Sequence, residues 1–114
     1  MDRRALGVSG EDAAAAWYQD RGFLVVARNW RAGRDGEIDL ILRQGGLAVF
    51  CEVKTRRGDA FGLPAEAVTV AKQRRIRRLA ARWLAEAATF RPRELRFDVA
   101  AILDGKLDII EGAF

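Results

Sequence analysis

The sequence predicts an α/β fold, a mixed β-sheet flanked by helices, and three observations carry that prediction. Glu37–Arg43 and Leu47–Lys54 each alternate with period two and meet at Gly45-Gly46, the pattern of a β-hairpin. Ile76, Leu79, Ala80, Trp83 and Ala87 recur at helical spacing and form one apolar stripe. The full order of segments, α-β-β-β-α-β-β, gives a sandwich of helices around a mixed sheet. At 114 residues, with 50% hydrophobic and 32% charged side chains, the chain reads as one globular domain over 1–114.

Taken in order, Ser9-Gly-Glu-Asp12 reads as a helix start with Ser9 as N-cap, and the helix runs from Ala13 to about Asp20, stopping at Arg21-Gly22. Phe23–Ala27 is the first strand, and Arg28–Gly36 reads as a polar loop carrying three arginines. In Glu37–Arg43, Ile38, Leu40 and Leu42 face one way and Glu37, Asp39 and Ile41 the other. Gly45-Gly46 suits a two-residue turn because both positions tolerate positive φ. In the next strand Leu47, Val49, Cys51 and Val53 oppose Ala48, Phe50, Glu52 and Lys54. Glycines make Arg57–Leu63 a loop, and Pro64 precedes a long helix over Ala65–Ala88, regular from Val70. Leu95–Leu103 is a strand, Asp104-Gly105 a turn and Leu107–Ile110 a last short strand.

Composition excludes several chemistries. There is no histidine, so no mechanism can use an imidazole base or ligand. The single cysteine, Cys51, allows neither an internal disulfide nor a multi-thiolate zinc site. A metal here must be held by oxygen, which points to Mg²⁺ or Mn²⁺. No apolar run approaches the roughly 20 residues a membrane helix needs. Arg3-Arg4 is followed by Gly-Val-Ser-Gly-Glu where an export signal would be apolar, so a cytoplasmic location without membrane contact is expected. The net charge of +4 suits a polyanionic partner, although small basic proteins are common.

The hairpin gathers the chemistry. If Gly45-Gly46 is a two-residue turn, Gln44 faces Leu47, Asp39 lies opposite Glu52, and Glu37 lies opposite Lys54. Opposed residues have Cβ atoms about 4.5–5.5 Å apart. Two carboxylates that close repel when both are ionised, and a divalent cation between them is the usual remedy. Asp39 and Glu52 would hold the metal with the Val53 carbonyl as an extra ligand, and Lys54 would act on water or on phosphorane charge. That arrangement suits phosphodiester hydrolysis. Two alternatives stay open: the charges simply form a solvated face, or a three-residue loop puts Ile38 opposite Glu52.

Other residues aim at the same place. Glu11 shares a helix face with Ala15 and Tyr18, and Lys72 continues the buried stripe of Ile76, Leu79 and Trp83; each either reaches the sheet or snorkels to solvent. Arg28, Arg31, Arg34, Arg56 and Arg57 flank the acidic hairpin and are candidate nucleic-acid contacts, with Lys72. Arg74, Arg75, Arg78 and Arg82 occupy the exposed side of the long helix, either as phosphate contacts or as a plain solvated face. Trp17 and Trp83 read as core, and Trp30 as a loop residue able to stack a base.

Several motifs stand together in order: Gly7-x-x-Gly10-Glu11-x-x-Ala14, Gly22-Phe23, Asn29-Trp30-Arg31, Gly36-Glu37-Ile38-Asp39-Leu40-Ile41, Phe50-Cys51-Glu52-Val53-Lys54-Thr55-Arg56, Ala67-Val68, Lys72 and Arg96-Phe97-Asp98-Val99. From Gly7 to Ile102 the chain resembles the YraN-like family of bacterial proteins, whose fold is similar to archaeal Holliday junction resolvases. The resemblance implies a restriction-endonuclease-like PD-(D/E)xK core in which Glu11, Asp39, Glu52 and Lys54 take the places of metal ligands and catalytic lysine. The nominal proline before the first Asp is Ile38 here. The expected function is a Mg²⁺-dependent endonuclease on DNA, with branched DNA as a candidate substrate and a homodimer as the expected assembly. The alternatives are a non-catalytic nucleic-acid-binding accessory protein of the same fold, acting in recombination or DNA uptake, and a protein-interaction module that holds a structural cation. Arg96 and Asp98 have no assigned chemistry beyond a strand ion pair.

Overall fold

A computed structural model of the chain describes residues 3–56 and 68–114, and of 3–9 only the helical path. The elements run α1 (Arg3–Asp20), β1 (Leu24–Arg31), β2 (Glu37–Gln44), β3 (Leu47–Arg56), α2 (Val70–Glu86), β4 (Glu94–Leu103) and β5 (Lys106–Ile110), the predicted order. The strands form one mixed sheet in the order β1-β2-β3-β4-β5; only β3 and β4 are parallel, because α2 lies between them in the chain.

The two helices cover opposite faces. Ile76, Leu79, Ala80 and Trp83 of α2 pack with Ile41, Ala48, Phe50, Phe97 and Val99 of the sheet. Ala14, Ala15 and Tyr18 of α1 pack with Leu40, Leu42, Val49, Cys51 and Ala100. Alternation along the hairpin thus feeds two cores, so the face with Leu40 lies on a helix as predicted and the other face is apolar too until it reaches the acids. Ile38 departs from the pattern: it clusters with Ile41, beside Trp30, its partner in β1.

The hairpin register is the predicted one, from Gln44↔Leu47 to Leu40↔Cys51. Gly45 takes the left-handed conformation, with φ of 57°, whereas Gly46 serves close approach. Its carbonyl accepts from Arg93 N at 2.7 Å, and a β-carbon there would meet Arg93 Nε at 2.7 Å.

Three expectations need correction. Ser9 is no N-cap, since α1 begins at Arg3 and runs through it. Gly10 inside that helix serves proximity: a β-carbon would meet Thr55 Oγ1 at 2.8 Å and Ile102 Cδ1 at 2.9 Å, so α1 settles closer to the sheet than any larger residue allows. The polar segment after Ala27 is strand, not loop, through Arg31; pairing with β2 overrides its polarity, a bulge follows Val25, and Asn29 takes φ of 51°. Trp30 accordingly packs on the α2-side core and is not a loop platform for bases. The long helix, expected over Ala65–Ala88, is described from Val70 to Glu86, capped by the Thr69 side chain accepting from Lys72 N. Arg57–Leu63, Pro64 and Ala65–Ala67 lie outside the described residues.

Candidate functional site

Beyond Leu40↔Cys51 the β2–β3 ladder ends, so Asp39 and Glu52 stand one step past its last pair instead of forming a rung. The Asp39 carboxylate takes over there, accepting from the Val53 N–H at 2.8 Å. Asp39 and Glu52 still meet in one cleft of about 300 Å³, lined also by Arg31, Gly36, Glu37, Lys72, Arg75 and Ile76. The expected pairing of Glu37 with Lys54 is replaced. Glu37 accepts from Arg31 Nε at 3.2 Å, because β1 extends to Arg31 and brings it opposite Glu37.

Glu52 is the buried acid of the site, at 8% exposure. Its Oε1 receives Lys72 Nζ at 2.7 Å and Lys54 Nζ at 3.4 Å. Position on the apolar stripe explains Lys72, whose stem follows Ile76 onto the sheet; it reaches inward, as one of the two sequence readings held. Lys54 arrives from β3 itself, two residues past Glu52 on the same face.

The protonation equilibria diverge accordingly. Burial, and then the charge of Glu52, push the Asp39 carboxyl from 3.8 up to about 7; the Val53 N–H opposes this, and the charges of Glu11 and Glu37 add to it. Burial and the neighbouring Lys72 lower the Lys54 pKa against the pull of Glu52. Burial also works against charge on Lys72, but the hydrogen bonds to Glu52 and Lys54 and the charges of Glu52 and Asp39 together outweigh it and raise its pKa. One lysine is held charged and the other is eased toward neutrality.

Among the described residues no three acids or thiols converge on one point, so the donors available to a metal are the Asp39 and Glu52 carboxylates. That is compatible with Mg²⁺, which commonly takes one or two carboxylates and completes its shell with water. Glu11 is half-buried on α1, accepts from Asn29 Nδ2 at 3.0 Å and acts on Asp39 through its charge.

The arginines separate into classes. Arg28 is bound to Asp12 at 2.6 Å, Arg31 lines the cleft, Arg34 is exposed on the 33–34 turn, and Arg56 ends β3 with Nη1 donating to the Thr55 carbonyl at 3.1 Å. Arg57 lies outside the described residues. Sequence reading placed Arg75 on the exposed side of α2, but it also borders the cleft; its place three residues after Lys72 was the available signal.

Asp98 has a structural role. Fully buried, it accepts from Tyr18 Oη at 2.6 Å, from Arg96 Nε and Nη2 at 2.9 Å each, and from Gly112 N at 3.0 Å. It ties α1, β4 and the C-terminal segment together.

Fold and site define an α/β protein with a mixed five-stranded sheet whose β2–β3 hairpin carries an acid pair into one cleft, where Lys54 of β3 and Lys72 of α2 meet Glu52. Residues 10–102 match the family described as Uncharacterised protein family UPF0102, and the chain belongs to that family, the YraN-like one. It is similar to a UPF0102 protein of Nocardia farcinica, 54% identical over 103 residues that cover 90% of this chain and 79% of that one. A UPF0102 protein of Symbiobacterium thermophilum is 50% identical over 119 residues, covering 100% and 98%. No helix among the described residues is long and apolar enough to cross a membrane.

Proposed function

We propose that this protein is a divalent-metal-dependent nuclease with a PD-(D/E)xK core, hydrolysing phosphodiester bonds of DNA with Mg²⁺ or Mn²⁺. The observation that carries the reading is the acid pair: Asp39 and Glu52 line one cleft, and Asp39 is driven to about 7 by burial and by Glu52. Such a pair is costly for the fold alone and is relieved by a cation. Lys54, at the same Glu52 oxygen, completes the acid-acid-lysine grouping.

In this reading Asp39 and Glu52 hold the ion, the Val53 carbonyl adds a neutral oxygen donor, and Glu11, expected as a further ligand, acts on the pair through its charge. When bound, the ion supplies positive charge beside the scissile phosphate and lowers the pKa of water. Lys54, whose pKa is lowered by burial and by Lys72, orients the attacking water or offsets charge on the phosphorane. Lys72 stays charged, fixes Glu52 and offsets charge gathering on the phosphate. Arg31 in the cleft wall, and Arg28, Arg34, Arg56 and Arg57, which flank the acidic hairpin in the sequence, are the proposed contacts to other phosphates.

A second reading, a nucleic-acid-binding accessory protein without catalysis, draws on one observation. Two lysines already meet Glu52, and an acid so matched needs no metal. The homodimer suggested by the resolvase resemblance belongs to the proposal as well. Its suggested contact, Leu107–Phe114, is largely used within the chain, since β5 pairs with β4 and Phe114 stacks on Phe97 at 5.3 Å.

The test is a panel of linear, single-stranded, flapped and four-way DNA incubated with Mg²⁺ or Mn²⁺. Cleavage that EDTA abolishes is expected; Asp39→Ala and Glu52→Ala should remove it and leave DNA binding intact or slightly tighter. A panel left uncut at every metal concentration refutes the nuclease and favours the accessory protein.

A further inference from the structure

The cations at the cleft are matched to acids, with one exception. Lys72 and Lys54 converge on Glu52, and Arg31 is paired with Glu37. Arg75 lines the same cleft and is exposed, yet among the described residues it has neither an ion pair nor a hydrogen-bonded acid. Its neighbour Arg82 differs, being tied to Asp35 at 2.8 Å and to Glu86 at 3.3 Å.

The local fold holds Arg75 there. Ile76 and Leu79 bury their side of α2 and leave Arg75 on the flank beside the segment that leads into β2. A β-carbon at Gly36 would stand 3.7 Å from Arg75 Cδ and Nε, so the arginine stem lies over that glycine. Gly36 has φ of 115°, a conformation strained for any L side chain, so the surface under the arginine stays low. A guanidinium with unused donors at the mouth of a cleft matches phosphate oxygens, which accept its paired N–H groups.

We propose that Arg75 anchors a backbone phosphate of the nucleic acid, next along the strand from the phosphate at the acid pair. The strand then leaves the cleft over Gly36 and along α2. This rests on the reading of the cleft as a nucleic-acid site.

The test is fluorescence anisotropy of a short labelled DNA duplex in Ca²⁺ over a range of salt, comparing the wild type, Arg75→Ala and Arg74→Ala. Arg74 is exposed on the same helix but does not line the cleft. Arg75→Ala should weaken binding about tenfold, as expected for a lost charged hydrogen bond, and lower the salt slope by about 0.9. Arg74→Ala should lose less. If Arg75→Ala melts below the wild type, Arg75→Lys replaces it; restored slope with only partial affinity supports the anchor, and affinity equal to the wild type overturns it. Equal losses in Arg74→Ala and Arg75→Ala mean unspecific charge and also overturn it. If the wild type binds and Arg75→Ala is unaffected, only the anchor fails. If the wild type binds no duplex, single strand or junction, the reading of the cleft fails and the anchor with it.

Discussion

The sheet carries buried acids on both faces, and they are treated in opposite ways. On the α1 side Asp98 is matched completely: a guanidinium fork, a tyrosine hydroxyl and a backbone N–H surround it. On the α2 side Asp39 has one N–H donor and faces other acids, and its pKa climbs to about 7. Both places lie on β-strands of one sheet, so neither strand chemistry nor burial alone explains the contrast. A carboxylate placed for the fold is surrounded by donors, whereas one placed beside another acid costs stability that a bound cation would relieve.

The comparison breaks most visibly at Asp98. Asp98→Ala leaves the Arg96 guanidinium and the Tyr18 hydroxyl without their acceptor and should cost about 3–5 kcal/mol in urea denaturation. A loss under about 1 kcal/mol would mean that the network is not structural.

Asp39 should behave in reverse. Its folded pKa lies above the unfolded one, so the stability linked to its proton is fully present below 3.8 and is lost as pH rises to about 7. Wild-type stability should therefore fall across that window relative to Asp39→Asn, with a difference on the order of a few kcal/mol complete near neutral pH. Parallel pH profiles for the two proteins would remove the repulsion from the account.

A smaller effect concerns the metal. Mg²⁺ at about ten times its dissociation constant should stabilise the wild type by about 1.4 kcal/mol, more at pH 8 than at pH 5. In Asp39→Asn the gain should vanish. A gain of equal size in the variant would place the ion elsewhere. Smallest is the change at Arg31: Arg31→Ala should weaken DNA binding across sequences and lower the salt slope by about 0.9, and unchanged binding would make its pair with Glu37 a purely local contact.

Much of this was legible in the sequence. Period-two alternation and the Gly45-Gly46 turn fixed the hairpin register, and the apolar stripe of α2 pointed Lys72 at the sheet, where it meets Glu52. What escaped depended on distant partners. Arg28–Arg31 read as loop because the arginines and Asn29 are polar, and only pairing with β2 makes them strand. Ser9 read as an N-cap although α1 runs through it, and the reason for Gly10, the nearness of Thr55 and Ile102, is tertiary. The Arg96–Asp98 pair on one strand was legible, but Tyr18 stands 80 residues from Asp98, beyond any local pattern, so the link from that acid to α1 was not.

The central claim is that Asp39 and Glu52 together await a divalent cation. Titration of Mn²⁺ followed by electron paramagnetic resonance tests it directly, without substrate. Saturable binding by the wild type is predicted, lost in both Asp39→Asn and Glu52→Gln. Absence of saturable binding in the wild type, or binding that survives both substitutions, would contradict it.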